Sequence, residues 1–250
     1  MYYKILKKFV GTLGFKLIDK NLVKNDRLLS DHSHLKIDKI LENLFNSKNL
    51  NFIIQIGAND GERFDILNKF IKKYYPKVIF VEPIKSSFED LKKNYLDQKD
   101  LFFENSAISV DNTISQLFKV KDTALGFYDE HVIGITSFDK NHLIKHGIKR
   151  KHIISQNINS ISINELLQKY SVKNFDLLFI DTEGYDGEIV IDFLKKTEIR
   201  PIIIFEYIHI NKISFEKTLN ILNNKKYYFF KIKENVFCIP DEKKQIINFF

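Results

Sequence analysis

The sequence predicts an α/β fold: a mostly parallel, seven-stranded sheet with helices on both faces, closed by a C-terminal antiparallel hairpin. Two observations carry this. Apolar runs stop abruptly in clusters of glycine and carboxylate at Ile53–Gly61 (IIQIGANDG) and at Leu177–Glu188 (LLFIDTEGYDGE), as strands buried on both faces of a parallel sheet do. From Asn51 onward such runs alternate with helical stretches, the rhythm of a parallel sheet covered by helices.

The elements follow in order. Residues 1–50 read as a helical extension, with Leu35, Ile37, Ile40, Leu41, Leu44 and Phe45 at helical spacing. Its first part, Tyr3 to Leu17, mixes apolar residues with lysines; it is expected to pack on the flank of the domain, with weak peripheral membrane contact through residues 1–18 as the alternative. Residues 51–250 form one domain. Phe52–Ile56 is the first strand, Phe64–Tyr74 a helix, Lys77–Val81 the second strand and Ser87–Asn94 a helix. Leu101–Glu104 with Ala107–Ile108 makes the third strand. Asn164–Tyr170 is a helix, Leu177–Ile180 a strand, Glu188–Leu194 a helix, Pro201–Phe205 a strand and Phe215–Asn223 the last helix. Tyr227–Ile232 and Val236–Pro240 flank a turn at Lys233-Glu234-Asn235 and read as a hairpin that adds an antiparallel strand at one edge. Between them, residues from about 111 to 160 are irregular yet rich in aromatic and branched side chains, with four histidines, His131, His142, His146 and His152. A long loop of that composition is functional rather than disordered, and it is read as a substrate-recognition insertion.

Composition narrows the function classes. No run approaches the roughly 18–20 apolar residues of a membrane span, and no signal peptide is read at the start. Cys238 is the only cysteine, so an internal disulfide and a cysteine metal cluster are excluded, and a cytoplasmic setting is expected. The net charge of +7 comes from lysines interleaved with 32 acidic residues, which describes a solvated surface better than a nucleic-acid face with aromatics presented for stacking. The sequence leaves the oligomeric state open.

Chemistry concentrates at the strand ends, where open α/β sheets bind ligands. Gly57-Ala58-Asn59-Asp60-Gly61 lets the backbone turn sharply and approach a ligand closely. It is not the G-x-G-x-x-G that aims amides at a diphosphate; a loop bearing Asn and Asp suits the sulfonium and amino acid of S-adenosylmethionine better. Glu82, ending the second strand, is placed to accept hydrogen bonds from ribose hydroxyls, and Asn105, Ser106, Ala107 and Ile108 lie where a base edge would meet the third strand. Asp181 and Glu183 crowd the end of a buried strand, where mutual repulsion disfavours acids without a function. They are candidates for holding the cofactor's ammonium, orienting an acceptor hydroxyl, acting as base or binding a cation. Asp186 and Glu188 are read as acids answering a helix dipole. Glu206 is expected beside Asp181, and His209 is the best-placed imidazole for a general base. The acids match no defined metal motif, and no metal is expected.

At these residues the chain resembles the FkbM family of methyltransferases. IQIGANDG, VEP, NSAI, ITSFDKNHL, ISINELL, IDTEGYDGEI and PIIIFEYIH carry the resemblance, in that order, over residues 51 to 228. It implies a class I, Rossmann-like fold and methyl transfer from S-adenosylmethionine, commonly to a hydroxyl of a sugar or secondary metabolite. By position, Gly57, Asn59, Asp60 and Gly61 would line the methionine and ribose, Glu82 would hold the ribose, Asn105 to Ile108 would border the adenine, and Asp181 and Glu183 would face the reaction centre. Thr182 departs from the commoner valine of that motif. The resemblance does not fix the base, so Asp181, Glu206 and His209 rest on inferred geometry. The function expected is O-methylation of a small, carbohydrate-like acceptor. An RNA or protein methyltransferase using the lysine surface, and a noncatalytic binding module on the same fold, are the alternatives.

Overall fold

The computed structural model describes residues 25–47, 49–110, 116–129 and 135–249; the Tyr3–Leu17 segment and His131 lie outside the described residues. The strands are β1 (Phe52–Ile56), β2 (Lys77–Val81), β3 (Leu101–Glu104), β4 (Ala107–Ile108), β5 (Gln116–Val120), β6 (Ile153–Asn157), β7 (Ser160–Ile161), β8 (Leu177–Ile180), β9 (Ile202–Glu206), β10 (Tyr227–Ile232) and β11 (Asn235–Pro240). The helices are α1 (Ile37–Asn46), α2 (Asn68–Tyr74), α3 (Lys85–Asn94), α4 (Lys140–Lys145), α5 (Ile163–Lys169), α6 (Asp186–Lys196) and α7 (Lys212–Asn224). Among the described residues no helix is long and apolar enough to cross a membrane.

Seven strands form the main sheet in the order β10-β11-β9-β8-β1-β2-β3. Side chains alternate between its faces. Ile54, Ile56, Ile79, Val81, Leu178 and Ile180 join α5, α6 and α7 in one core; Ile53, Val78, Phe80, Leu177 and Phe179 join α1, α2 and α3 in the other. Burial on both faces explains why the central strands are nearly unbroken apolar runs.

The structure corrects three expectations. The antiparallel strand is not at the edge: β11 pairs antiparallel with both β9 and β10, so it fills a gap between them. The crossover through α7 carries β10 one strand position too far, and the tight turn at Lys233, with φ of 55°, returns the chain into that space. Ala107–Ile108 do not extend β3; they pair in parallel with Ser160–Ile161 as β4 and β7. The chain leaves the sheet because Glu104 turns inward to accept bonds from Ser106 Oγ at 2.7 Å, Lys169 Nζ at 2.7 Å and Tyr170 Oη at 3.1 Å. Finally, α2 begins at Asn68 rather than Phe64, which holds a left-handed φ of 62°.

The segment read as irregular has its own order. β5 and β6 form an antiparallel pair from Gln116↔Asn157 to Val120↔Ile153, and Asp139 caps α4 by accepting from the Asn141 N–H. Val120, Ala124, Ile135, Leu143, Ile148 and Ile153 form a third, separate apolar cluster. Phe138 then packs edge-on against Tyr185 at 5.1 Å, setting this unit over the loop that follows β8.

Candidate active site

A cleft of about 750 Å³ opens at the carboxyl ends of β1, β2, β8 and β9. Gly57, Ala58 and Asn59, Glu82, Ser106 to Ile108, Asp181 to Glu183, Glu206 and His209 line its sheet side. Leu117, Lys119, Ile135, Phe138 and His146 line the other side from the insertion.

The loop after β1 is held tightly. The Gly57 and Ala58 N–H groups donate to the Val81 carbonyl at 2.9 and 3.1 Å. Gly57 adopts φ of 80°, and a Cβ there would sit 1.8 Å from the Asp181 carbonyl oxygen, so only glycine lets β1 and β8 meet this way. Asn59, also left-handed at φ of 49°, donates its N–H to Glu82 Oε2 at 2.9 Å, while Ile84 N–H donates to Glu82 Oε1 at 2.7 Å. Glu82 is 5% exposed, and burial outweighs those bonds, raising its carboxyl to about 7. One acid therefore fixes the glycine loop and the start of α3 while reaching the cleft.

The loop after β8 is built around Asp186. Fully buried, it accepts from Thr182 Oγ1 at 2.9 Å and from the Thr182 and Gly184 N–H groups at 3.4 and 3.2 Å. It does more than answer a dipole: it folds Thr182–Gly184 back on itself and puts Glu183 at φ of 55°. Glu188 accepts from Ser214 Oγ at 2.7 Å, tying α6 to α7. Ile180 pairs with Phe205, so Asp181 and Glu206 follow on adjacent strands. Asp181 reaches the open cleft from a densely packed floor, and burial together with repulsion from Asp186 and Glu183 raises its carboxyl well above the usual range. Burial and then the charge of Asp181 push Glu206 up in the same way. Asp65, which also lines the cleft, is raised to about 6, mainly by burial. The cleft is a sink for positive charge and hydrogen-bond donors.

The cleft gathers Gly57, Asn59, Glu82, Ala107, Ile108, Asp181, Glu183, Glu206 and His209 from the residues singled out in the sequence. Asp60, Gly61 and Asn105 stand behind its wall. Asp60 pairs with Arg63 at 2.5 Å and accepts the Glu62 and Arg63 N–H groups; Gly61 packs under Leu91 and Tyr95; Asn105 Nδ2 donates to the Glu82 carbonyl at 2.8 Å. All three shape the wall rather than line the cleft. Two groups escaped sequence reasoning. Gln55, 2% exposed within an apolar strand, donates to Asp65 at 3.1 Å, and its Oε1 is buried without a hydrogen-bond partner at the cleft. A lone amide inside a buried strand was its signal. His142 and His146, at i and i+4, stand with His209; their helical spacing was the signal.

A model of the FkbM methyltransferase domain matches residues 55–229, well over half of the chain. The chain belongs to the FkbM methyltransferase family. Among solved structures it is similar to methyltransferase FkbM from Methylobacillus flagellatus KT, at 12% identity over 76% of this chain and 44% of that one, with a TM-score of 0.45. It is also similar to an O-methyltransferase from Bacillus cereus in complex with SAH, at 9% identity over 94% and 97% of the two chains, with a TM-score of 0.41. The chain thus spans less than half the length of the FkbM structure it matches. No curated protein matches it. The cofactor that this FkbM domain implies is S-adenosylmethionine, and the donor set fits it: a buried orphan acceptor on Gln55 and carboxylates at Glu82 and Asp181.

Proposed function

We propose that this chain is an S-adenosylmethionine-dependent methyltransferase that methylates a hydroxyl oxygen of a sugar or a similar small molecule. The observation that carries the reading is a single cleft lined on one side by the acids of the strand ends and on the other by apolar side chains of the insertion. S-adenosylmethionine supplies a methyl group activated on a sulfonium. Glu82 accepts hydrogen bonds from the ribose hydroxyls, and Gln55 Oε1 and Asp181 accept from the ammonium. Gly57 and Asn59 border the methionine, Ala107 and Ile108 the adenine. Leu117, Ile135 and Phe138 exclude water, which strengthens every charge interaction inside. Glu206, beside Asp181, receives the acceptor's proton, and Glu183 and His209 orient it, His209 Nε2 lying 3.6 Å from Glu206 Oε2 and 3.5 Å from Glu183 Oε2. Alignment of the two reactants is the larger part of the rate gain.

The insertion is proposed as the substrate-recognition unit of a domain over residues 51–250, and the buried single thiol of Cys238 supports a cytoplasmic setting. RNA and protein acceptors, and a binding module without catalysis, are weaker readings, because the acids and apolar side chains of the cleft suit a small polar ligand. The test is transfer of labelled methyl from S-adenosylmethionine to a panel of sugars and nucleotide sugars, beside total RNA and protein. Label in the sugar fraction, insensitive to salt, is expected. Label in RNA, lost steeply between 50 and 200 mM salt as phosphate contacts would require (about 10³-fold for six contacts), would overturn the reading.

A further inference from the structure

Three histidines from two distant segments meet at the mouth of the cleft. His142 and His146 lie one turn apart at α4, and His209 follows β9. Their ring centroids are 4.6, 4.7 and 5.0 Å apart. Glu183 completes the group: its Oε2 is 3.2 Å from His142 Nε2 and 3.5 Å from His209 Nε2. The donor atoms of the three histidines all lie within 4.8 Å of one another, as do those of Glu183, Glu206 and His209. Ligand atoms about 2.0–2.1 Å from a tetrahedral ion stand about 3.4 Å from each other, so the three imidazoles can close around one ion by drawing together.

Each member is positioned by the fold. Asp139 caps the helix that carries His142. The left-handed Glu183 is held by the Asp186 staple, and Gly184 permits the approach of the His209 backbone, since a Cβ would lie 3.1 Å from its carbonyl oxygen. None of the four side chains is fully exposed, and His146, Glu183 and His209 open onto the cleft. Three imidazole nitrogens select zinc-like first-row ions over magnesium, which prefers oxygen.

We propose that His142, His146 and His209 bind one divalent ion of the zinc class, with Glu183 orienting His142 and His209, and that the ion's fourth position beside Glu206 takes a hydroxyl oxygen of the acceptor. The ion joins the insertion to the sheet, so binding also fixes the lid of the cleft. The second clause rests on the methyltransferase reading; the first does not. A bound hydroxyl ionises more readily, passing its proton to Glu206 and keeping the electron pair on oxygen.

The test uses the full chain stripped with chelator. It is titrated with Zn²⁺ by calorimetry and with Co²⁺ by visible absorption, with S-adenosylhomocysteine titrated in parallel. One ion per chain is expected, with intense tetrahedral Co²⁺ bands. His146→Ala should weaken affinity at least about tenfold. His142→Gln, similar in size and still polar, should do the same, which separates loss of a ligand from loss of fold. No stoichiometric ion, or an affinity that both variants leave unchanged, would overturn the site. Cofactor binding without metal binding removes this proposal and leaves the methyltransferase reading; metal binding without cofactor binding supports the site and removes the other.

Discussion

Gly57 is the residue on which two strands depend. Its positive φ costs a side-chain-bearing residue about 1–3 kcal/mol, and the 1.8 Å approach of a Cβ to the Asp181 carbonyl adds a clash with backbone that has nowhere to move. Gly57→Ala is expected to cost at least about 2 kcal/mol and to lower Tm by about 4–8 °C in a domain of this size. Thermal unfolding followed by circular dichroism checks it; an unchanged Tm would show that the loop relaxes. Glu82 has a different signature. Its carboxyl, raised to about 7 by burial, is ionised above that pH and carries a proton below it. Only the ionised form offers acceptors on both oxygens, so cofactor affinity should hold above about pH 7 and fall as pH drops through it. Glu82 was legible as the candidate ribose acid because an acid ends the second strand beside Pro83. The reach of that same carboxylate to the Asn59 and Ile84 amides was not, since backbone partners leave no trace in residue type.

The sheet strands were readable as elements because both faces are buried and the apolar runs are bounded by glycine, proline and acids. β4 was misjudged because two residues carry no period, and the turn at Asn105-Ser106 is set by Glu104 bonding to Lys169 and Tyr170 some 65 positions away. The insertion hid its order for a related reason. QLFKV and IISQN pair with each other over a gap of more than thirty residues and bury only one side. Its apolar cluster is separate from the two that hold the sheet, which makes it a unit able to open alone. Leu143→Ala, which removes a fully buried side chain from that cluster, should cost about 2–5 kcal/mol locally. Hydrogen exchange is expected to rise across residues 116–129 and 135–157 while β1, β2 and β8 keep their protection. Equal loss of protection in the sheet would show one cooperative core.

At the scale of the whole molecule, a surface of net charge +7 surrounds a cleft whose floor gathers Glu82, Asp181, Glu183 and Glu206. Parallel topology brings those acids together, because every strand from β1 to β9 in the main sheet ends on the same side, and the acids sit at those ends. The alternation of strand and helix therefore made the acid half of the site legible. Of the histidine half only His209 was: α4 brings His142 and His146 to it only through the packing of the insertion on the loop after β8. The central claim is that this cleft holds S-adenosylmethionine with Glu82 on its ribose. Calorimetric titration with S-adenosylhomocysteine, on wild type and Glu82→Ala at pH 8.0 and on wild type at pH 5.5, tests it most directly. The expected result is one site of about −8 kcal/mol at the higher pH, weakened at least tenfold in the variant and weakened in wild type at the lower pH. Absence of binding to wild type at pH 8.0, or binding that Glu82→Ala leaves unchanged, would contradict it.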